Sequence, residues 1–154
     1  MTLAAAFTAL RDRLRMLDEL VQQLALTVDD APQCDDEPAI VESMRAYASE
    51  IGHDVATALQ SLERHASGDT AAECHDVVVR VWRSMQFELA SYESIRELES
   101  IAAERGDAWR RWSAVVRQVL ERCAHSVCEV AEALADCWRE AAERLHSPGG
   151  ITHV

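Results

Sequence analysis

The chain has 154 residues, 49% of them apolar and 27% charged, which is the balance of one folded domain and not of a disordered segment. Its net charge of −12 argues against nucleic acid and anionic lipid headgroups as main partners, because phosphate binding needs cationic surface. Only five glycines and three prolines occur, so long stretches run without a helix breaker. The composition therefore predicts an all-α protein.

The cysteine content and the first residues of the chain are informative about the cellular compartment of the protein. The five cysteines are an odd number, and most lie inside predicted helices, so we expect reduced thiols. The short apolar run Leu3–Leu10 lacks the basic start of a secretory signal. No stretch reaches the roughly 18 uninterrupted apolar residues of a transmembrane span. We expect a cytoplasmic protein.

The first predicted helix, about residues 2–28, carries apolar residues at strictly alternating steps of four and three. This 3.5-residue repeat keeps two positions of each heptad facing a partner helix, as in a coiled coil. The partner can be another helix of the same chain or a second subunit, and the pattern does not distinguish them. This helix seam consists of Leu3, Phe7, Leu10, Leu14, Leu17, Val21, Leu24 and Val28.

Three further amphipathic helices are predicted, at about residues 38–66, 70–105 and 108–146. We expect an elongated antiparallel bundle of about four long helices, with residues 1–147 as a single domain and 148–154 as a C-terminal tail. Helices of this length suit an elongated bundle or a homo-oligomer better than a compact globule. Gly106-Asp107 is a short separator, so the last two helices can also be one long helix with a weak point there.

Candidate reactive groups do not form a catalytic, metal or cofactor site. Cys123, His125 and Cys128 point in different directions from one helix, so they cannot grip one metal ion by themselves. A di-iron bundle needs paired Glu-x-x-His motifs, and only Glu143 and His146 have that spacing. Arg139 and His146 have the spacing of HEPN-type ribonucleases, a remote alternative that the acidity disfavours. We therefore predict a protein that is not an enzyme.

Two tryptophans flank the Gly106 separator. Trp109 and Trp112 are expected to pack in the core or at its rim. If they are instead exposed at the end of the bundle, they mark an interface.

Residues 68–112 resemble the middle of phasins, proteins that coat polyhydroxyalkanoate storage granules. The turn before residue 70 is followed by Thr70 and Glu73, in the Thr-x-x-Glu arrangement of a capping box. An amphipathic run follows, and the preceding segment 58–66 is of the same kind. The similar stretches within the run are Phe87-Glu88, Arg96-Glu97-Leu98 and Ile101-Ala102.

The resemblance implies a non-enzymatic coat protein whose apolar stripe adsorbs to hydrophobic polymer, while its charged faces keep granules apart. We expect storage granules as its location and no cofactor. The competing interpretation is a helical homo-oligomeric adaptor or regulatory partner-binding module that uses the seam of the first helix. The predicted interaction surface is Val81, Trp82, Met85, Leu89, Tyr92, Ile95 and Leu98, with Trp109 and Trp112.

Overall fold

The structure, a computed structural model, describes residues 1–146, and within them every regular element is a helix. The all-α prediction is confirmed. Five α-helices and one π-helical turn pack around a common apolar core. In chain order they are α1 (Leu3–Asp29), α2 (Ala39–Arg64), α3 (Gly68–Ser84), the π turn (Met85–Leu89), α4 (Tyr92–Arg105) and α5 (Asp107–His146).

Helix α1 turns its seam inward. Thr2 caps the helix by accepting a hydrogen bond from the backbone N–H of Ala5 at 3.1 Å. The seam is fully buried from Leu10 to Val28, while Leu3 and Phe7 are partly buried. Because α1 packs mainly against α5 and α2, helices of the same chain cover the seam.

Helix α5 lies along the length of α1. The indole Nε1–H of Trp112, near the start of α5, donates to the carbonyl oxygen of Thr27, near the end of α1, at 2.7 Å. Further along, the guanidinium of Arg13 pairs with Glu129 at 2.9 Å. Between these two contacts the apolar stripe of α5 is buried, so α1 and α5 form the centre of the core.

The predicted helix 70–105 is wrong, because the chain breaks between the π turn and α4. Leu89 and Leu98 are both buried, yet nine steps of 100° would place them on opposite sides of one continuous helix. The break at Ala90 and Ser91 lets both reach the core. Ser91 is extended and its side chain caps α4 by accepting from the N–H of Ser94 at 3.1 Å.

Two other helix boundaries bear on the sequence prediction, the one between α4 and α5 and the start of α3. Gly106 has φ 106°, a conformation that favours glycine, and it separates α4 from α5. The capping box of α3 is formed by Ser67 and Thr70, one turn earlier than predicted. Glu73 instead accepts a hydrogen bond from the hydroxyl of Ser61 at 3.3 Å. The predicted tail 148–154 lies outside the described residues.

Candidate interaction surface

The predicted interaction surface does not form one exposed stripe. Trp82 and Tyr92 are exposed, at 41% and 75%, and Ile95 is partly buried. The other members face the core, so our expectation that the stripe lies on the surface is wrong for them. The buried members are Val81, Met85, Leu89, Leu98, Trp109 and Trp112.

Phe87 is not part of the predicted surface. It is nevertheless one of the most exposed large apolar side chains in the described part of the chain, at 72%. It lies inside the π turn, between the buried Met85 and Leu89. The sequence does contain a signal for this exposure, because Phe87 lies between Met85 and Leu89 and so falls outside the four-residue spacing of the predicted apolar stripe. Phe87 thus joins Trp82 and Tyr92 in one short segment, residues 82–92, which we name the aromatic joint.

The local backbone explains why the aromatic joint presents its rings to solvent. The N–H of Ala90 donates to the carbonyl oxygen of Met85 at 2.7 Å, five residues back, which widens the turn. Met85 and Leu89 anchor the two ends of this turn in the core. Phe87, between them, is directed outward. π turns of this kind are frequent at functional sites.

Polar contacts fix the aromatic joint to the rest of the molecule. A hydrogen bond from the hydroxyl of Tyr47, on α2, to the carboxylate of Glu88 raises the pKa of Tyr47. On the other side, the hydroxyl of Ser94 donates to the carbonyl oxygen of Glu88 at 2.8 Å. The guanidinium of Arg96 lies over the ring of Tyr92, 5.4 Å from its centre. The backbone of Glu88 is therefore tied to α4.

Trp109 and Trp112 belong to the core and do not form an exposed end. Their rings meet edge to face, with centres 5.4 Å apart and planes at 83°. The guanidinium of Arg105 covers the ring of Trp109 at 5.1 Å. With the hydrogen bond of Trp112 to Thr27, these contacts lock the start of α5 onto α1.

The cysteines divide into buried and accessible groups, and all five are free. Burial raises the pKa of Cys74 to about 11, of Cys123 to about 12 and of Cys137 to about 11. Such thiols stay protonated at neutral pH and are poor nucleophiles. Cys128 is exposed and Cys34 is partly buried.

The other candidate reactive groups are dispersed. Cys123 is buried and Cys128 exposed, and His125 lies 2.9 Å from Glu129. In the described part of the chain, no three His, Cys, Asp or Glu side chains are grouped as metal ligands would be. Arg139 pairs with Asp136 at 2.9 Å, while the side chain of His146 lies outside the described residues.

A second exposed apolar area lies where the end of α1 meets the start of α5. Leu26 and Val115, exposed at 71% and 45%, line a groove of about 570 Å³. Arg111 and Asp30 lie at the same groove, which mixes charged and apolar groups. Among helices within residues 1–146, none is long and apolar enough to cross a membrane.

Comparison of the chain with protein-family models, with curated proteins and with solved structures finds no match.

Proposed function

We propose that this chain is a non-enzymatic binding protein that attaches to a hydrophobic surface through the aromatic joint. The specific surface we propose is a polyhydroxyalkanoate storage granule in the cytoplasm, coated in the manner of a phasin. The exposed rings of Trp82, Phe87 and Tyr92 in one eleven-residue segment carry the proposal. Elsewhere the long apolar stripes of α1 and α5 are buried against each other and cannot serve as the contact.

The size of the aromatic joint indicates how tightly one molecule would hold. Burying an aromatic side chain contributes roughly 1.5–3 kcal/mol, so three partly exposed rings supply about 5 kcal/mol. This corresponds to a dissociation constant weaker than about 100 μM. Such a weak attachment suits a coat that is formed by many copies of the protein. We propose that the chain is an elongated antiparallel bundle and that it adsorbs as a homo-oligomer or as a dense layer of single copies.

Charge supports the same proposal. The net charge is −12, and the exposed faces of the helices carry most of the charged side chains. Once the aromatic joint is adsorbed, the charged faces would point away from the surface. Like charges on neighbouring coated particles repel, which would keep the particles dispersed.

The test is the position of a fluorescent fusion in a polymer-accumulating bacterium. We expect the wild-type fusion to form rings around granules. The double variant Phe87→Ser and Tyr92→Ser should become diffuse, because it removes the two most exposed rings of the joint. The matched control Leu26→Ser and Val115→Ser removes exposed apolar side chains from the α1–α5 groove. Its fluorescence should still surround the granules.

A diffuse wild-type signal around unlabelled granules would reject the granule proposal. The second candidate is a homo-oligomeric adaptor or regulatory module, favoured by the exposed Leu26 and Val115 in the α1–α5 groove. For that function the control variant, and not the aromatic variant, should abolish assembly with the partner. The buried seam of α1 is unavailable as its contact.

A further inference from the structure

Helix α4 is held to the rest of the molecule by little buried apolar surface. Only Leu98 and Ala102 of its 14 residues are buried. Ile95 and Ile101 are partly buried against the core. By contrast, α1 buries eight of its 27 residues and α2 nine of its 26. The apolar side of α4, which we name the flap face, is Ile95, Leu98, Ile101 and Ala102.

The contact between α4 and α5 is bordered by small side chains. An open surface groove of about 240 Å³ runs between the two helices, lined by Ala102, Ala103, Ser113 and Ala114 together with the charged Glu99, Arg110 and Arg117. Ala103 and Ala114 are exposed. Small side chains make few dispersion contacts, so this part of the interface is weaker than one with interlocking large side chains.

Exposed ion pairs supply the rest of the attachment. Arg117 on α5 pairs with Glu99 on α4 at 2.6 Å, and Arg105 pairs with Asp36 at 3.3 Å. The Arg117–Glu99 pair is half exposed on both sides, and Asp36 is almost fully exposed. Solvent and salt screen such pairs, so they contribute little to holding α4 closed.

Both ends of α4 are built as joints. At its start, Ser91 caps the helix and the π turn precedes it. At its end, Gly106 has φ 106°, and its N–H bonds to the carbonyl oxygen of Ala102 at 3.3 Å. The backbone hydrogen bonds of α4 are internal or adjoining, so α4 can move as one helix and lose only side-chain bonds, those of Glu99 with Arg117 and of Arg105 with Asp36.

We infer that α4 is a flap that opens at the aromatic joint and Gly106 and lays the flap face on the hydrophobic surface. This inference rests on the proposed function and deepens it. The exposed rings alone give a weak attachment, and the flap face adds apolar surface next to them in the chain. Adsorption then exchanges the weak contact of α4 with α5 for contact with the apolar phase.

The test combines amide hydrogen exchange of the free protein with adsorption to particles of poly(3-hydroxybutyrate). In the wild type, the amides of α4 should exchange at least a hundred-fold faster than those of the buried part of α1. Leu98→Ala removes the main anchor and should speed exchange in α4 about thirty-fold or more, with faster adsorption. Ala103→Leu extends into the groove between α4 and α5 and should slow exchange in α4 about ten-fold, with slower adsorption.

A control variant is Ala4→Leu, which adds the same apolar group at an exposed position of α1. It should leave exchange in α4 unchanged. Exchange in α4 as slow as in α1 would overturn the flap, whatever the protein adsorbs to. Variants that change exchange in α4 without changing adsorption would overturn its role at the surface and leave the aromatic joint standing. Fast exchange in α4 without adsorption of the wild-type protein to the particles would reject both the proposed attachment to a hydrophobic polymer and the role of the flap in that attachment.

Discussion

Helices α1 and α4 are both amphipathic, yet the structure treats them differently. The seam of α1 is buried from Leu10 to Val28 between α5 and α2. The flap face of α4 buries only Leu98 and Ala102, beside an open groove whose apolar lining is made of small side chains. Amphipathic periodicity alone therefore does not decide whether a helix is a permanent part of the core. The size of the side chains on the facing helix decides how firmly it is held.

We call α1, α2 and α5 the scaffold. The largest effect is expected from charges placed in the seam of α1. Leu10→Glu together with Leu17→Glu would place two unpaired charges at fully buried positions of α1. Each costs more than about 4 kcal/mol, so the pair costs more than about 8 kcal/mol, which is comparable to a typical folding free energy of about 5–15 kcal/mol. We expect loss of helical circular dichroism and of cooperative unfolding.

The matched control adds the same two charges on the exposed side of α1. Met16→Glu and Gln22→Glu lie at exposed positions. This control should keep its helicity and its melting transition. A seam variant that folds like the control would contradict the scaffold role of α1.

A smaller effect should follow from Trp112→Phe. The substitution removes the hydrogen bond that joins the start of α5 to Thr27 of α1 and leaves that carbonyl oxygen with only the longer bond from the N–H of Asp30, at 3.2 Å. We expect the free energy of unfolding to fall by about 1–3 kcal/mol, measured by denaturant titration. Trp138→Phe, at a 45% exposed position, should change it by less than about 0.5 kcal/mol. Equal effects at both positions would show that Trp112 does not lock the two helices.

The smallest effect at neutral pH concerns the buried thiols. In the unfolded chain the pKa of Cys123 is the ordinary 9.0, and burial raises it to about 12 in the folded protein. Below pH 9 both states are protonated and the thiol does not affect stability. Between about pH 9 and 12 only the unfolded state ionises, so stability should fall as the pH rises.

Thiol labelling distinguishes these positions directly. At neutral pH Cys128 should react at least a thousand-fold faster than Cys123, since the scaffold must open globally to expose Cys123. Replacing Cys123 with alanine should weaken the alkaline loss of stability. Rapid labelling of Cys123 in the folded protein would mean that α1 and α5 open as readily as α4.

The sequence predicted the helices of the scaffold closely. The observed bounds of α1, α2 and α5 lie within two residues of the predicted ones, because each has a regular apolar stripe between clear breakers. The stripe of the third predicted helix changes to consecutive three-residue steps after Leu89, a drift of 60° per step. That drift was the overlooked signal of the break at Ala90 and Ser91.

The candidate surface was predicted less well. Periodicity shows which side of a helix is apolar, but the neighbouring helices decide whether that side is covered. Met85 and Leu98 are therefore buried, while Trp82 and Tyr92 of the same predicted surface are exposed. The exposure of Phe87 depends on the π turn, which no local residue preference specifies. These properties required the tertiary structure.

The most direct test of the account is hydrogen exchange of the protein while it is adsorbed on poly(3-hydroxybutyrate) particles, compared with the free protein. The account predicts altered exchange confined to residues 82–105, the aromatic joint and α4, with the amides of α1 unchanged. Protection centred instead on the α1–α5 groove around Leu26 and Val115, or global loss of protection across α1, would contradict it.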